Sequence, residues 1–110
     1  MRPTQFRFEV LGKPWTLRLM KRKKYKDKNG KDSVAVTMGY KRQIHLSPFG
    51  HDLETIVHEL VHAYLNELCL NSTTEMSADD MEEVFAELMA KRGRELLDLA
   101  DTLFSRISTP

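Results

Sequence analysis

Two histidines and a glutamate lie close together in the segment His58-Glu59-Leu60-Val61-His62. In a helix, histidines four residues apart project from one face about one turn apart, so both imidazoles can reach a single metal ion. Glu59 would lie about 100° around that helix from His58, where a carboxylate can take a proton from a metal-bound water. The spacing therefore predicts a zinc site with His58 and His62 as ligands and Glu59 as general base.

This motif is specific. In a chain of 110 residues, a chance His-Glu-x-x-His has a probability of roughly a few in a thousand at ordinary residue frequencies. The alternative is a pair of partly buried histidines that bond to the backbone or to carboxylates. A purely structural metal site would use four ligands and gives no reason for an acid beside the first histidine. The motif therefore favours a hydrolytic site over a structural one.

A catalytic zinc site needs a third protein ligand and an open position for water. We predict Glu82 as that ligand, because it falls on the edge of the apolar stripe of a second predicted helix, and a stripe edge can face the first helix. Glu83 is the alternative, although it points away from the stripe. Other acids nearby remain open, and all of them also suit solvated positions that the helix dipole favours: Asp79, Asp80 and Glu87.

Two helices are expected to carry these residues. Asp52 is a predicted N-cap, and apolar residues then recur at three- and four-residue spacings, which predicts a first helix over about 52–70. A second helix is predicted from Ala78, with Ser77 as its cap and an acid three residues later. Its apolar stripe continues beyond Gly93, where a bend or split is expected.

The N-terminal half alternates apolar and polar residues, as strands do. Four short strands are predicted, at 6–10, 15–19, 34–38 and 43–46, with Phe6, Phe8 and Trp15 on the core face. A tight turn at Asn29-Gly30 is expected to pair the second strand with the third. The fold class is therefore α+β, with a small antiparallel or mixed sheet packed on a zinc-binding helix and a C-terminal glutamate helix.

Composition indicates one ordinary domain over residues 1–110, since 41% of residues are hydrophobic and 30% are charged. No apolar run approaches the length of a membrane span, and no secretory signal is evident, so a cytoplasmic location is expected. The single cysteine, Cys69, fits a reducing compartment and is expected to be a small core residue. Nothing in the composition indicates an oligomeric state.

Charge is divided between the two halves of the chain. The net charge is +10 over residues 1–51 and −9 over residues 52–110. Seven of the cations lie in the segment 21–31, around the predicted turn. This basic hairpin could bind a polyanion such as nucleic acid. A solvated hairpin whose lysines discourage strand pairing is favoured, because Tyr25 is the only aromatic residue there.

Residues from about Tyr40 to Leu88 resemble the gluzincin metallopeptidases, in particular the minimal single-domain zinc peptidases common in phage and prophage genomes. Three segments carry the resemblance: the strand Gln43-Ile44-His45-Leu46, the helix Thr55-Ile56-Val57-His58-Glu59-Leu60-Val61-His62-Ala63, and the glutamate helix Met81-Glu82-Glu83-Val84-Phe85-Ala86-Glu87-Leu88.

The resemblance implies a zinc peptidase acting on a peptide or protein substrate. By it, the two histidines and a glutamate of the second helix bind zinc, Glu59 activates water, and the strand before the first helix is the sheet edge along which substrate lies. Many gluzincins have an acid four residues after the ligand glutamate. Four residues after Glu83 is an acid, Glu87, whereas four residues after Glu82 is Ala86. The alternative function is a nucleic-acid-associated module that uses the hairpin 21–31, with a zinc site that is structural, latent or activated by a partner.

Overall fold

A computed structural model describes residues 3–27, 29–68 and 78–109 of the chain. Cys69 and Ser77, for which a core position and a helix cap were predicted, lie outside these ranges. The described elements, in chain order, are β1 (Gln5–Val10), β2 (Lys13–Leu19), β3 (Tyr25–Lys26), β4 (Asp32–Ser33), β5 (Ala35–Met38), β6 (Gln43–Leu46), α1 (Leu53–Glu67) and α2 (Ala78–Ser108).

The main sheet has four strands in the order β1-β2-β6-β5. Strands β2 and β6 are parallel, while β1 and β5 pair antiparallel with their neighbours. Alternation of buried and exposed residues along β1 explains why this segment forms a half-buried strand. The predicted α+β class with a mixed sheet is confirmed, and each of the four predicted strands is present.

The predicted hairpin between the second and third strands is wrong. Strand β2 pairs with β1 and β6, and the basic segment instead closes its own two-stranded ribbon, in which Tyr25 pairs with Ser33. The turn itself lies where it was predicted. The Asp27 carboxylate accepts hydrogen bonds from the backbone N–H groups of Asn29 and Lys31, and Gly30 has a positive φ of 79°. This local capping closes the turn over a very short ribbon.

The expectation that the strand before the first helix is a sheet edge is also wrong. Strand β6 lies between β2 and β5, so that Ile44 is the register partner of both Leu17 and Thr37. Among the described residues, β5 is the edge strand on this side of the sheet. The difference arises because β6 pairs in parallel with β2, a long-range pairing that local sequence patterns do not reveal.

One face of the sheet packs against both helices to form the core. Trp15 is only 1% exposed, and Phe6 and Phe8 are buried with it, as predicted. The helices cover this face with a stripe of buried residues each. These are Ile56, Leu60, Ala63 and Tyr64 of α1, and Leu88, Leu96, Ala100, Leu103 and Ile107 of α2.

The helices begin close to the predicted positions. The Asp52 carboxylate accepts hydrogen bonds from the backbone N–H of Thr55 at 2.8 Å and from its hydroxyl at 3.0 Å, which confirms the predicted cap. Helix α2 is continuous through Gly93, so the expected split is absent. Across residues 3–27, 29–68 and 78–109, neither helix combines the length and apolar composition that crossing a bilayer requires.

Candidate metal centre

His58 and His62 approach each other on the exposed side of α1. Their Nε2 atoms are 3.3 Å apart, and their ring planes meet at 69°. Two nitrogens that each lie about 2.0–2.1 Å from one zinc ion, at a tetrahedral angle, are separated by about 3.3–3.4 Å. The pair therefore has the spacing of two ligands to one metal ion.

A hydrogen bond between two neutral imidazoles would place the same atoms close together. A separation of 3.3 Å is slightly beyond the usual range of about 2.7–3.2 Å for hydrogen bonds from nitrogen. The His58 side chain is also 68% exposed, so water competes for such a bond. The distance thus suits two ligands of one metal ion at least as well as a hydrogen bond between the two rings. The position of the neighbouring Glu59 carboxylate bears on which of these two interpretations is correct.

Glu59 is the buried acid of this site. Its side chain is only 7% exposed, and its Oε2 atom lies 3.9 Å from Nε2 of His58. The hydroxyl of Thr37 donates to the other oxygen, Oε1, at 2.8 Å. A buried carboxylate without hydrogen bonds is costly, and Thr37 satisfies one oxygen while the other lies toward the histidines.

Thr37 was not among the residues predicted for the site. It belongs to β5, 22 positions before Glu59, and a threonine in a strand is ordinarily a residue of high β-propensity. Its role becomes visible only because β5 packs beside α1. The missing signal was tertiary, and no local pattern could have supplied it.

A cleft of about 450 Å³ adjoins the buried acid. One wall is the start of α1, including Asp52, and the other is Ser33 and Val34, where the ribbon joins the edge strand. Clefts of this size are common binding sites for small molecules and extended peptides. His58 and Glu59 both line the cleft, so a group bound there would contact the site directly.

The predicted third ligand is not joined to the histidines. Within the described ranges, no group of three metal-ligating side chains is present. Glu82 and Glu83 are exposed on α2, and Glu83 lines a second, apolar cleft with Leu68 at the C-terminal end of α1. Leu68 follows His58 by ten residues, or about 15 Å of helix. Glu82 and its alternative Glu83 therefore stay predictions.

Tyr64 and His45 occupy structural positions. Tyr64 is fully buried, and its hydroxyl donates to Glu95 of α2 at 2.6 Å; burial is the main cause that raises the pKa of this phenol. His45 lies in β6 and contacts Gln43, while partial burial, together with Arg18 nearby, lowers its pKa. Neither residue joins the histidine pair on α1.

Comparisons with known proteins find no matching family model, no similar curated protein and no similar solved structure. The resemblance to gluzincins therefore stays a prediction carried by the residues that suggested it.

Proposed function

We propose that the protein is a zinc-dependent hydrolase, and specifically a peptidase, in which His58 and His62 hold the metal and Glu59 is the general base. One observation carries the proposal. The two Nε2 atoms have a chelating separation of 3.3 Å, and a buried carboxylate directs its second oxygen to within 3.9 Å of one of them. A merely structural pair of histidines would not need that oxygen.

The side chains divide the chemistry between them. Zinc held by the two imidazoles and a third ligand would supply a Lewis acid and a water whose pKa is lowered to about 7. Glu59 accepts the proton of the attacking water through Oε2 and returns it to the leaving amine, as a general base that becomes a general acid. Thr37 holds Oε1, so that the carboxylate keeps one orientation during both transfers.

The edge strand β5 supports a peptide as substrate. Extended peptides bind exposed sheet edges through main-chain hydrogen bonds, and β5 is an edge among the described strands. Thr37 lies in this strand and contacts Glu59. A peptide bound along β5 would therefore pass beside the base. The proposed edge is β5 and not β6, the strand named by the resemblance.

Zinc content tests the proposal. We expect about one zinc per chain in the wild type by elemental analysis, and much less in His58→Ala and His62→Ala. His45→Ala is the matched control, because His45 lies in β6 with Gln43 as its partner, and it should keep the metal. Full zinc retained by both α1 variants would exclude the site.

The third ligand needs a separate experiment. We propose Glu82, with Glu83 as the alternative, and Glu82→Ala and Glu83→Ala should differ in zinc affinity. An anomalous diffraction map at the zinc edge would identify the metal and the third ligand together. Unchanged affinity in both variants would move the ligand to another group.

A further inference from the structure

The basic ribbon, residues 21–33, adjoins the cleft of the metal centre. Ser33 is the last residue of β4 and lines the cleft together with His58. Tyr25 is the register partner of Ser33, and Lys24 directly precedes it. Neighbouring strands are about 4.8 Å apart and successive residues about 3.3 Å apart. The backbone of Lys24 therefore lies within about 10 Å of the cleft wall.

Positive charge dominates this ribbon. The segment contains two acids, and both are engaged locally: Asp27 caps the turn, and Asp32 forms ion pairs with Lys24 and Lys26. The hydrogen bond from Lys26 is the main cause that lowers the pKa of Asp32. Six described cations in the segment are exposed, which leaves an excess of positive charge: Lys21, Arg22, Lys23, Lys24, Lys26 and Lys31.

The backbone that carries these cations is ordered by contacts within the ribbon. Tyr25 is only 7% exposed, and the guanidinium of Arg22 lies 5.0 Å from the centre of its ring. Arg22 also donates from Nε to the carbonyl oxygen of Lys24 at 2.8 Å. Both contacts of Arg22 lie within the ribbon and order its backbone, and the ribbon meets the cleft wall at Ser33, so a bound chain would meet charges on an ordered backbone. Preorganisation of this kind reduces the entropic cost of binding.

The opposite wall of the cleft carries the other sign of charge. Asp52 and Glu54, at the start of α1, line it. Because the Asp52 carboxylate is held by Thr55 as a helix cap, it stays on that wall. A peptide with acidic residues would be attracted to the ribbon and repelled by the start of α1. The charges therefore favour contact of acidic residues with the ribbon side of the cleft.

We propose that the ribbon recognises a cluster of acidic residues on one side of the scissile bond of a peptide substrate. This inference rests on the proposed hydrolase site, since it treats the cleft as the place of reaction. An extended peptide fits better than nucleic acid, because the ribbon lies beside a cleft and an edge strand. Its one aromatic residue, Tyr25, is buried with Arg22 over its ring, so it cannot stack on a base.

The test measures binding to the full chain carrying Glu59→Gln, so that peptide is not consumed. Three fluorescein-labelled peptides share a neutral central segment and carry glutamates, lysines or serines on one side of it; labelled duplex DNA is a fourth probe. Fluorescence anisotropy is followed at low and moderate salt. The ribbon variant is Lys23→Glu/Lys24→Glu. The control is Lys13→Glu/Arg94→Glu, which changes net charge equally at exposed positions on β2 and α2.

We expect the glutamate peptide to bind about tenfold more tightly than the serine peptide, and the ribbon variant to lose roughly that factor. The control variant should change affinity less than about twofold, because screening weakens distant charges. Equal losses in both variants, unchanged binding in the ribbon variant, or tighter binding of DNA than of the glutamate peptide would overturn the proposal. Should the ribbon variant be unfolded by circular dichroism, Lys21→Gln/Lys23→Gln replaces it.

Zinc analysis of the same preparations separates the two proposals. Zinc bound without preference for acidic peptide would overturn the ribbon proposal and leave the hydrolase standing. Preference for acidic peptide in a chain that binds no zinc would overturn the hydrolase, and with it the assignment of the ribbon to a substrate.

Discussion

Glu59 and Glu67 are two buried acids on α1 whose surroundings differ. Their side chains are 7% and 6% exposed, and they lie eight residues apart on the same helix. Both oxygens of Glu67 accept hydrogen bonds: Oε2 from the Trp15 indole and from Nε of Arg42, each at 2.7 Å, and Oε1 from Nη2 of Arg42 at 3.3 Å. Glu59 has one described donor, the hydroxyl of Thr37.

Hydrogen-bond donors, and not burial alone, therefore distinguish the surroundings of these two acids. The hydrogen bond from Arg42 is the main cause that lowers the pKa of Glu67, and the Trp15 indole adds to it. That carboxylate is held as an anion. Glu59 has its second oxygen 3.9 Å from Nε2 of His58, which is the atom that would act in the proposed general base. Replacing each of the two acids in turn, and comparing the effects on rate and on stability, tests this difference directly.

The largest expected effect is on hydrolysis. Glu59→Gln should lower kcat by about 10²–10⁴-fold, because it removes the general base, while Glu67→Gln should change it by less than about threefold. Zinc-loaded protein and a fluorogenic peptide library give the rates, and elemental analysis gives the metal content. If Glu59→Gln loses zinc while folded, Glu59 is a ligand and not the base.

For the free energy of unfolding, the order should be reversed: replacing Glu67 should cost more than replacing Glu59. Glu67→Ala should cost about 2–3 kcal/mol of unfolding free energy, since the buried Trp15 N–H and Arg42 lose their acceptor. Glu59→Ala should cost about 1 kcal/mol, because it removes a single hydrogen bond from Thr37. Urea titrations measure both. A larger loss for Glu59→Ala would mean that Glu59 is the structural acid.

A smaller effect is expected from the donor to Glu59. Thr37→Val keeps the shape of the side chain and removes its hydroxyl, so the orientation of the carboxylate is less restricted. We expect kcat to fall about fivefold, equivalent to about 1 kcal/mol, with unchanged zinc content. Thr37→Ser keeps the hydroxyl and should retain most of the rate. Equal losses in both variants would assign the effect to packing.

The smallest effect concerns pH. A carboxyl whose pKa is lowered in the folded protein stabilises it above the pKa of the unfolded chain, and this stabilisation is lost as pH falls through the folded value. For Glu67 the loss should begin as pH approaches the ordinary value of 4.5 from above. Urea midpoints between neutral pH and pH 3 should fall more steeply in the wild type than in Glu67→Gln. Parallel curves would show that Arg42 does not act through this charge.

Local patterns in the sequence were enough to predict most of the elements. Asp52 caps α1 as its position before an apolar stripe predicted, and alternating residues located β1 and β2. The close approach of His58 and His62 was predictable for the same reason, since a helix alone sets the geometry of residues four apart; their binding of a metal stays a prediction. Each of these features depends on neighbours within a few positions of the chain.

Long-range pairing could not be predicted in this way. The parallel register of Leu17 with Ile44 made β6 an internal strand, and this placed Thr37 of β5 beside Glu59. Whether a residue of α2 can complete the predicted ligand set depends on how α2 approaches α1, which is also a tertiary property. Glu82 was chosen from the stripe of one helix, and a stripe does not determine which turn of that helix meets its neighbour.

The histidine pair and the contact between Glu59 and Thr37 join residues at very different separations along the chain. This difference sets an order for their assembly during folding. The histidine pair needs only α1, whereas the orientation of Glu59 needs β5, which joins the main sheet through β6 alone among the described strands. Contacts between distant segments require closing a long loop, which costs chain entropy that forming a single helix does not. A folding chain would therefore bring His58 and His62 together before Thr37 holds Glu59 in place, so the proposed base would be the last part of the proposed site to be oriented.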